Sequence, residues 1–411
     1  MKGARGKSRA IEADVLIVGG GLVGATLACA LDSAGLTSIV VDLADPQSLL
    51  DAGFDGRASA VALASQRMFA ALGLWPAMAA EAAPILDIRV SEGGSPLYLH
   101  FNHHQMGEDP FGYMVENRVT RRALFERLPR LSSVRWLAPA RLAGLTRSSS
   151  GVEARLGDGR RLTARLVVAA DGRASAVRRD AGIRTVGWPY RQTGLVLALG
   201  HEVPHGNVAH EHFLPSGPFA ILPMTGNRSS IVWTERSDLA AHVLGLDKAG
   251  FLAEVERRTG DFLGRLEVLG PRWAYPLSLR FAETALAHRL VLVGDAYHAM
   301  HPIAGQGLNM GLRDVAALAE VLADASRLGL DIGDAHVLRD YQRWRRFDNL
   351  FMLGVTDLVN RLFSNDIRPL RWARGLGMAA WGRIGPLSRM SMRQAMGTLG
   401  HAPRLLRGQS L

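Results

Sequence analysis

The stretch Ala13 to Gly24, ADVLIVGGGLVG, constrains this chain more than any other. A short β-rich apolar run, Ala13 to Val18, ends in three glycines. The following Ala25 to Ala34 is rich in helix formers and stops at Gly35. A second β-rich run, Thr37 to Val41, closes on Asp42. Strand, tight turn, helix, strand is a βαβ unit, which commits the chain to a parallel sheet. Gly19, Gly21 and Gly24 have the G-x-G-x-x-G spacing, and each has its own reason. Gly19 permits the sharp turn out of the strand, Gly21 lets the backbone approach a pyrophosphate, and Gly24 lets helix and strand pack closely. The helix that opens at Leu22 and Val23 offers unpaired N–H groups and a partial positive charge to phosphates. Asp42, 18 residues beyond Gly24, is placed to accept a bond from a ribose hydroxyl. This pattern predicts a bound dinucleotide without separating NAD from FAD.

A chain of 411 residues, 48% of them hydrophobic, suits two intimately joined domains around a large core. The single cysteine, Cys29, lies in an apolar helical run and excludes an internal disulfide. No apolar run is long enough to span a bilayer. The basic Met1 to Ala10 stretch reads as no signal peptide, because the apolar run after it continues into the glycine turn. The net charge of +10 is uneven: Arg361 to Leu411 holds nine arginines against one acid, Asp366. Trp372, Met378, Trp381, Leu387, Met390 and Met392 lie between those arginines. This tail is either a solvated helical surface or a face drawn to anionic lipid head groups. No nucleic-acid motif accompanies the charge. His100, His103 and His104 lack a further ligand, so no metal site is expected.

Along the rest of the chain, Arg57 to Leu72 reads as a helix ending at Gly73. Ile85 to Phe101 reads as a hairpin about Gly93-Gly94, and Arg118 to Leu128 as a helix ended by Pro129. Leu142 to Ala170 holds two or three strands, and Tyr190 to Arg236 an antiparallel sheet. Arg289 to Val293 is a buried strand, Leu308 to Ala325 a helix, and the remainder helical with Pro369 and Pro386 as punctuation.

Two further motifs lie at strand ends. Leu166 to Ala170 runs into Asp171-Gly172-Arg173-Ala174-Ser175-Ala176-Val177-Arg178. Leu290 to Val293 runs into Gly294-Asp295-Ala296-Tyr297-His298-Ala299-Met300-His301-Pro302, then Gly305-Gln306-Gly307-Leu308-Asn309-Met310-Gly311 and Asp314. Asp295 can bind a sugar hydroxyl of a second nucleotide moiety. The turn Gly305 to Gly307 opens a helix whose N–H groups and dipole would favour an electron-rich, anionic ring. Asp171 reads equally as a cofactor contact and as a turn and helix cap.

These stretches resemble the D-G-x-x-S-x-V-R and G-D motifs of the FAD-dependent aromatic hydroxylases. The resemblance runs from Asp14 to about Phe363. Shorter matches resemble the ubiquinone-biosynthesis branch: Asp55-Gly56-Arg57 with Leu72-Gly73-Leu74-Trp75, Val115-Glu116-Asn117-Arg118, Tyr275-Pro276-Leu277, and Asp348-Asn349 onward to Leu362-Phe363. It implies an α/β fold, with a Rossmann-like FAD-binding domain like that of p-hydroxybenzoate hydroxylase. Residues 10–84, 112–185 and 281–330 would form that domain. Residues 85–111 and 186–280 would form an interleaved β-sheet substrate domain, and 331–411 a helical C-terminal region. Arg57 and Arg118 resemble arginines that lie along the FAD. The implied reaction is hydroxylation of a polyprenylated phenol through a flavin hydroperoxide. O2 would be co-substrate, and NAD(P)H or another donor the reductant. The implied partners are a hydrophobic prenylated phenol, a membrane surface on the cytoplasmic side and other ubiquinone-biosynthesis proteins. Alternatives are a hydroxylase of a soluble phenol or a flavin-dependent reductase of the same fold. No general base is identified; His298 and Pro302 are the candidates near the flavin. Phe213, Phe219, Leu222, Pro223 and Met224 are the candidate substrate contacts. Oligomeric state is left open.

Overall fold

The computed structural model describes residues 12–51, 53–93, 98–365, 374, 381 and 384–411. The strand Ala13–Val18 pairs in parallel with Ser38–Val41 on one side and with Arg161–Ala169 on the other. Val134–Leu137 and Leu290–Leu292 extend that parallel set outward. Val15, Ile17, Val40, Val167 and Val291 have no exposed surface. Such near-continuous apolar runs are what a sheet covered on both faces requires. The hairpin Leu142–Ser148 and Gly151–Leu156 hangs antiparallel from Arg161–Ala169. Helices Leu22–Ser33 and Gly307–Arg327 pack together against this sheet.

A second sheet of eight strands is built around two 17-residue strands, Thr185–His201 and Leu266–Ala282, which run antiparallel. From Thr185–His201 it continues through Arg228–Arg236, Gly217–Met224, Val208–Leu214 and Asp87–Glu92 to Tyr98–Asn102. One face is closed by helices Ser237–Leu244 and Lys248–Thr259, over a core that includes Phe219, Ile231, Trp233 and Phe251. A small third sheet joins Ala58–Ala62, Gly112–Glu116 and Ala82–Ile85. The two-residue strand His298–Ala299 pairs with Leu266–Ala282, so the loop after Leu290–Leu292 ties the first sheet to the second. The helix Ala335–Phe363 then crosses the molecule, and Gly385–Met396 follows.

Most expected elements are present, with one reassignment. Arg57 to Leu72 is not one helix: Ala58–Ala62 is a strand, and the helix runs only over Leu63–Ala71. Alanine-rich sequence favours helix locally, but antiparallel pairing with Gly112–Glu116 overrides it. Pro386 sits in the first turn of Gly385–Met396 and opens that helix, as its fixed φ allows. Pro369, Arg371, Trp372, Met378 and Arg383 lie outside the described residues. Among the described residues, no helix is long and apolar enough to cross a membrane.

Candidate functional site

The glycine turn shows which positions the protein itself shapes. A Cβ on Gly24 would lie 1.9 Å from the Gly19 carbonyl oxygen, and one on Gly19 would lie 2.4 Å from that of Ala170. A Cβ on Gly21 would meet no protein atom within 4 Å. Gly21 therefore borders open space at the N-terminus of Leu22–Ser33, where a phosphate group fits. Val23 points the other way. It fills the room left by Gly294 and Gly311, where added Cβ atoms would approach it to 3.2 and 2.8 Å. The Asp42 carboxylate accepts from the N–H groups of Gly20 and Ala44, the latter at 2.7 Å. Beside it lies a crevice of about 160 Å3, lined by Gly20, Gly21, Asp42, Arg121, Phe125 and Trp136 among others. The buried indole N–H of Trp136 has no partner among the described residues. An orphaned donor and an open glycine beside a helix N-terminus fit the nucleotide end of FAD.

Arg57 and Arg118 frame the loop around Phe54 and Asp55. Arg57 pairs with Asp55 at 2.6 Å and lies 4.6 Å over the Trp273 ring, while the Trp273 indole donates to the Asp55 carbonyl at 2.6 Å. Arg118 pairs with Glu116 at 2.6 Å, and Glu116 also takes Arg228 at 2.9 Å. Asp171 caps the helix Ala176–Asp180: one carboxylate oxygen accepts from the N–H groups of Ala176 and Val177 at 2.9 and 3.2 Å. Its other oxygen is buried and unpaired. From the same motif, Arg178 donates to the Ala296 carbonyl at 2.7 Å, which locks the second motif onto the third.

The loop from Gly294 is held from beneath by Asp314. This buried carboxylate accepts from Gly294 N–H at 3.0 Å, His298 Nε2 at 2.7 Å and Arg345 Nε at 2.8 Å. Burial works against its charge, but His298 and Arg345 outweigh burial and hold the carboxyl at about 2. His298 is thus turned into this floor, away from the cavity described below. Asp295 is exposed at the strand end, and no group among the described residues bonds to its carboxylate. Asn309 staples the helix Gly307–Arg327 to the small sheet. Its side chain accepts from Ala62 N–H at 2.9 Å and Ser65 Oγ at 2.8 Å, and donates to the Ala60 carbonyl at 2.8 Å. A Cβ on Gly307 would meet nothing within 4 Å, as at Gly21. Two open glycines, each at a helix N-terminus, fit the pyrophosphate and the ring of one extended cofactor. His301 is fully buried beside Tyr190, with both ring nitrogens unpaired, and burial pulls it down to about 4.

Over Pro302, Ile303, Gly305 and Gln306 opens a cavity of about 800 Å3. Its roof is the free face of the second sheet, and its far end is formed by Val355, Leu358 and Leu362 of Ala335–Phe363. Phe213 and Leu222 line it. Strand alternation turns Phe219 to the opposite face, into the core with Trp233. Pro223 and Met224 are buried but are not among the lining residues. At the rim Arg374 and Glu92 form a buried ion pair. Arg374, one of the nine arginines of the basic tail, is therefore committed inside the fold, and Met392 is buried too.

Sequence reasoning missed Arg121, Trp136 and Glu211. The first two carry no motif. Glu211 also lines the cavity; it stands in the middle of three consecutive polar residues, where no alternation singles it out.

The chain matches the family described as FAD binding domain over residues 12–346. It is 57% identical over 404 residues to the ubiquinone hydroxylase UbiL of Rhodospirillum rubrum, covering 97% of this chain and 94% of that one. It is 35% identical to the 3-demethoxyubiquinol 3-hydroxylase of Escherichia coli, over 93% of this chain and 98% of that one. Among solved structures, the p-nitrophenol 4-monooxygenase PnpA of Pseudomonas putida superposes with a TM-score of 0.76 at 20% identity, covering 95% of this chain and 99% of that one. These likenesses agree on an FAD-binding fold. The chain belongs to the FAD-binding family that contains these ubiquinone-biosynthesis hydroxylases.

Proposed function

We propose that this protein is an FAD-dependent monooxygenase that hydroxylates the aromatic ring of a polyprenylated phenol in ubiquinone biosynthesis. The observation that carries this reading is the cavity. It is apolar, large enough for a ring with part of a prenyl chain, and floored by the loop whose helix N-terminus would face the flavin. Gly19, Gly21, Leu22, Val23 and Gly24 would hold the pyrophosphate and its supporting packing. Asp42 would fix the turn, and Arg57, Arg118 and Asp171 would line or brace the cofactor path. Gly294, Asp295, Pro302, Gly305, Gln306, Gly307, Leu308 and Asn309 would seat the ribityl and ring portions. Bound and reduced, FAD would supply the electrophilic oxygen from O2, with NAD(P)H or another donor as reductant. The protein's own part is orientation and dryness: the sheet face excludes water from the reacting atoms.

The test is a single-turnover experiment with the holoenzyme, chemically reduced and then given isotopically labelled O2 and ortho-farnesylphenol. One labelled ring oxygen is expected. Oxygen consumption without any hydroxylated product would remove the hydroxylase reading and favour a reductase. Equal turnover of phenol itself would favour a soluble substrate.

A specific observation favours delivery from a membrane. Phe347, Leu350, Phe351, Val355 and Leu358 are exposed at helical spacing on Ala335–Phe363, and Val355 and Leu358 also line the cavity. Arg361, Arg389 and Arg393 are exposed nearby in sequence, as an interfacial helix surface requires. This face would rest on the inner side of the cytoplasmic membrane, where other ubiquinone-biosynthesis proteins would meet it. Replacing Phe347, Phe351 and Leu358 together by Ser should lower sedimentation with anionic liposomes by about tenfold or more. Unchanged sedimentation would remove the membrane from the proposal.

A further inference from the structure

One charged side chain on the cavity roof has no role in the account above. On the strand Val208–Leu214, alternation turns Ala209, Glu211 and Phe213 toward the cavity. Glu211 sits opposite Val90 on one neighbouring strand and Ala220 on the other. Ile88, Leu99, Leu222 and Val232 complete an apolar surround. Glu92 and Arg374 also reach this face, but they are locked to each other. His210, His212 and Arg89 alternate onto the other side of these strands, where His210 packs against Phe262 at 4.7 Å and His212 Nδ1 bonds Ser91 Oγ at 2.6 Å; part of His210 also borders the cavity. Gln306 is the polar neighbour from the loop below. No hydrogen bond or ion pair from the described residues reaches the Glu211 carboxylate. Burial pushes its carboxyl up to about 7.

We infer that Glu211 is a catalytic residue: its carboxylate binds the hydroxyl of the phenol in this cavity and accepts its proton. The inference rests on the ring-hydroxylation reading. A phenol titrates near about 10, so it enters the apolar cavity protonated and needs a partner for its O–H. As the ring carbon takes up oxygen, the O–H bond breaks. Its electron pair moves into the ring, and Glu211 holds the proton. The O–O bond breaks in the same step, and the second oxygen atom leaves as water, taking one hydrogen from the reducing donor and the proton that the ring carbon gives up as the ring becomes aromatic again. Glu211 returns its proton to the phenolate oxygen. O2 is the oxidant, and its electrons come from the reduced cofactor, so the protein gains and loses nothing over the cycle. A base that titrates near the working pH is the efficient choice for such a transfer.

The test compares wild-type, Glu211→Gln and Glu211→Leu holoenzymes on ortho-farnesylphenol and on its methyl ether, which has no proton to give. In wild type, kcat should rise with pH through about 7, because the charged form is the acceptor. Glu211→Gln should lose ~10²–10⁴-fold in kcat together with that rise. Equilibrium binding, read without turnover, should favour the phenol over the ether in wild type, keep part of that preference in Glu211→Gln, whose amide oxygen still accepts, and lose it in Glu211→Leu. If Glu211→Gln keeps the wild-type kcat and pH profile, the assignment to Glu211 fails and ring hydroxylation stands. If wild type makes no hydroxylated product, ring hydroxylation fails. The loss of binding preference would then still place a hydroxyl on Glu211, and an unchanged preference would overturn that too.

Discussion

Asp314 and Glu211 are both carboxylates withdrawn from water, and the protein treats them in opposite ways. Under the cofactor loop, Asp314 is ringed by Gly294 N–H, His298, Arg345 and Asn349, and it is held charged. On the cavity roof, Glu211 has mostly apolar neighbours, with no ion pair from the described residues, and is held toward its neutral form. The floor spends polar groups on rigidity. The roof leaves the half-buried Glu211 open to the cavity with no partner among the described residues, an arrangement suited to a group supplied from outside the chain.

That contrast can be broken by substitution. Asp314→Asn should cost the most, about 3–5 kcal/mol, because Arg345 loses its buried counter-charge; urea unfolding of the apoprotein measures it. A loss below about 1 kcal/mol would mean that the floor is not a coupled network. Asn309→Ala should cost less, about 1–3 kcal/mol, by leaving Ala62 N–H without its acceptor. Glu211→Gln should act in the other direction. The unfolded chain gives up this proton near 4.5 and the folded one near 7, so the folded state loses stability as pH climbs between those values. The variant should therefore melt higher than wild type at pH ~8, with a smaller gain at pH ~5. An unchanged or lower midpoint at both would remove the contrast. Gly21→Ala should change apoprotein stability least, within about 0.5 kcal/mol, while weakening FAD binding in a fluorescence titration.

How much was legible follows the same division. Gly19 and Gly24 are dictated by atoms a few residues away or in the adjoining strand, so a short motif reports them. The stretch Gly294 to Asp314 contains both the loop and the carboxylate beneath it, 20 residues apart, so a contiguous pattern carries most of the floor. The roof is different. Val90, Glu211, Ala220 and Val232 come from four strands and become neighbours only through sheet register. Within its own strand, His210-Glu211-His212 is an unbroken polar run, and nothing local says which side faces solvent. Phe213 and Leu222 were distinguishable from Phe219 only once that register was known. Ala58–Ala62 was misread for the same reason, because its pairing partner lies at least 50 residues away.

Val23 has a consequence that concerns ancestry and not chemistry. It occupies space vacated by two glycines on separate segments, Gly294 and Gly311. Neither glycine can become smaller, so a residue at position 23 can gain no further room on the side of Gly294 and Gly311. An alanine at 311 would need a lesser residue at 23 to arrive first. The three positions are coupled, and the order of substitutions among descendants of this chain is constrained as firmly as their identity.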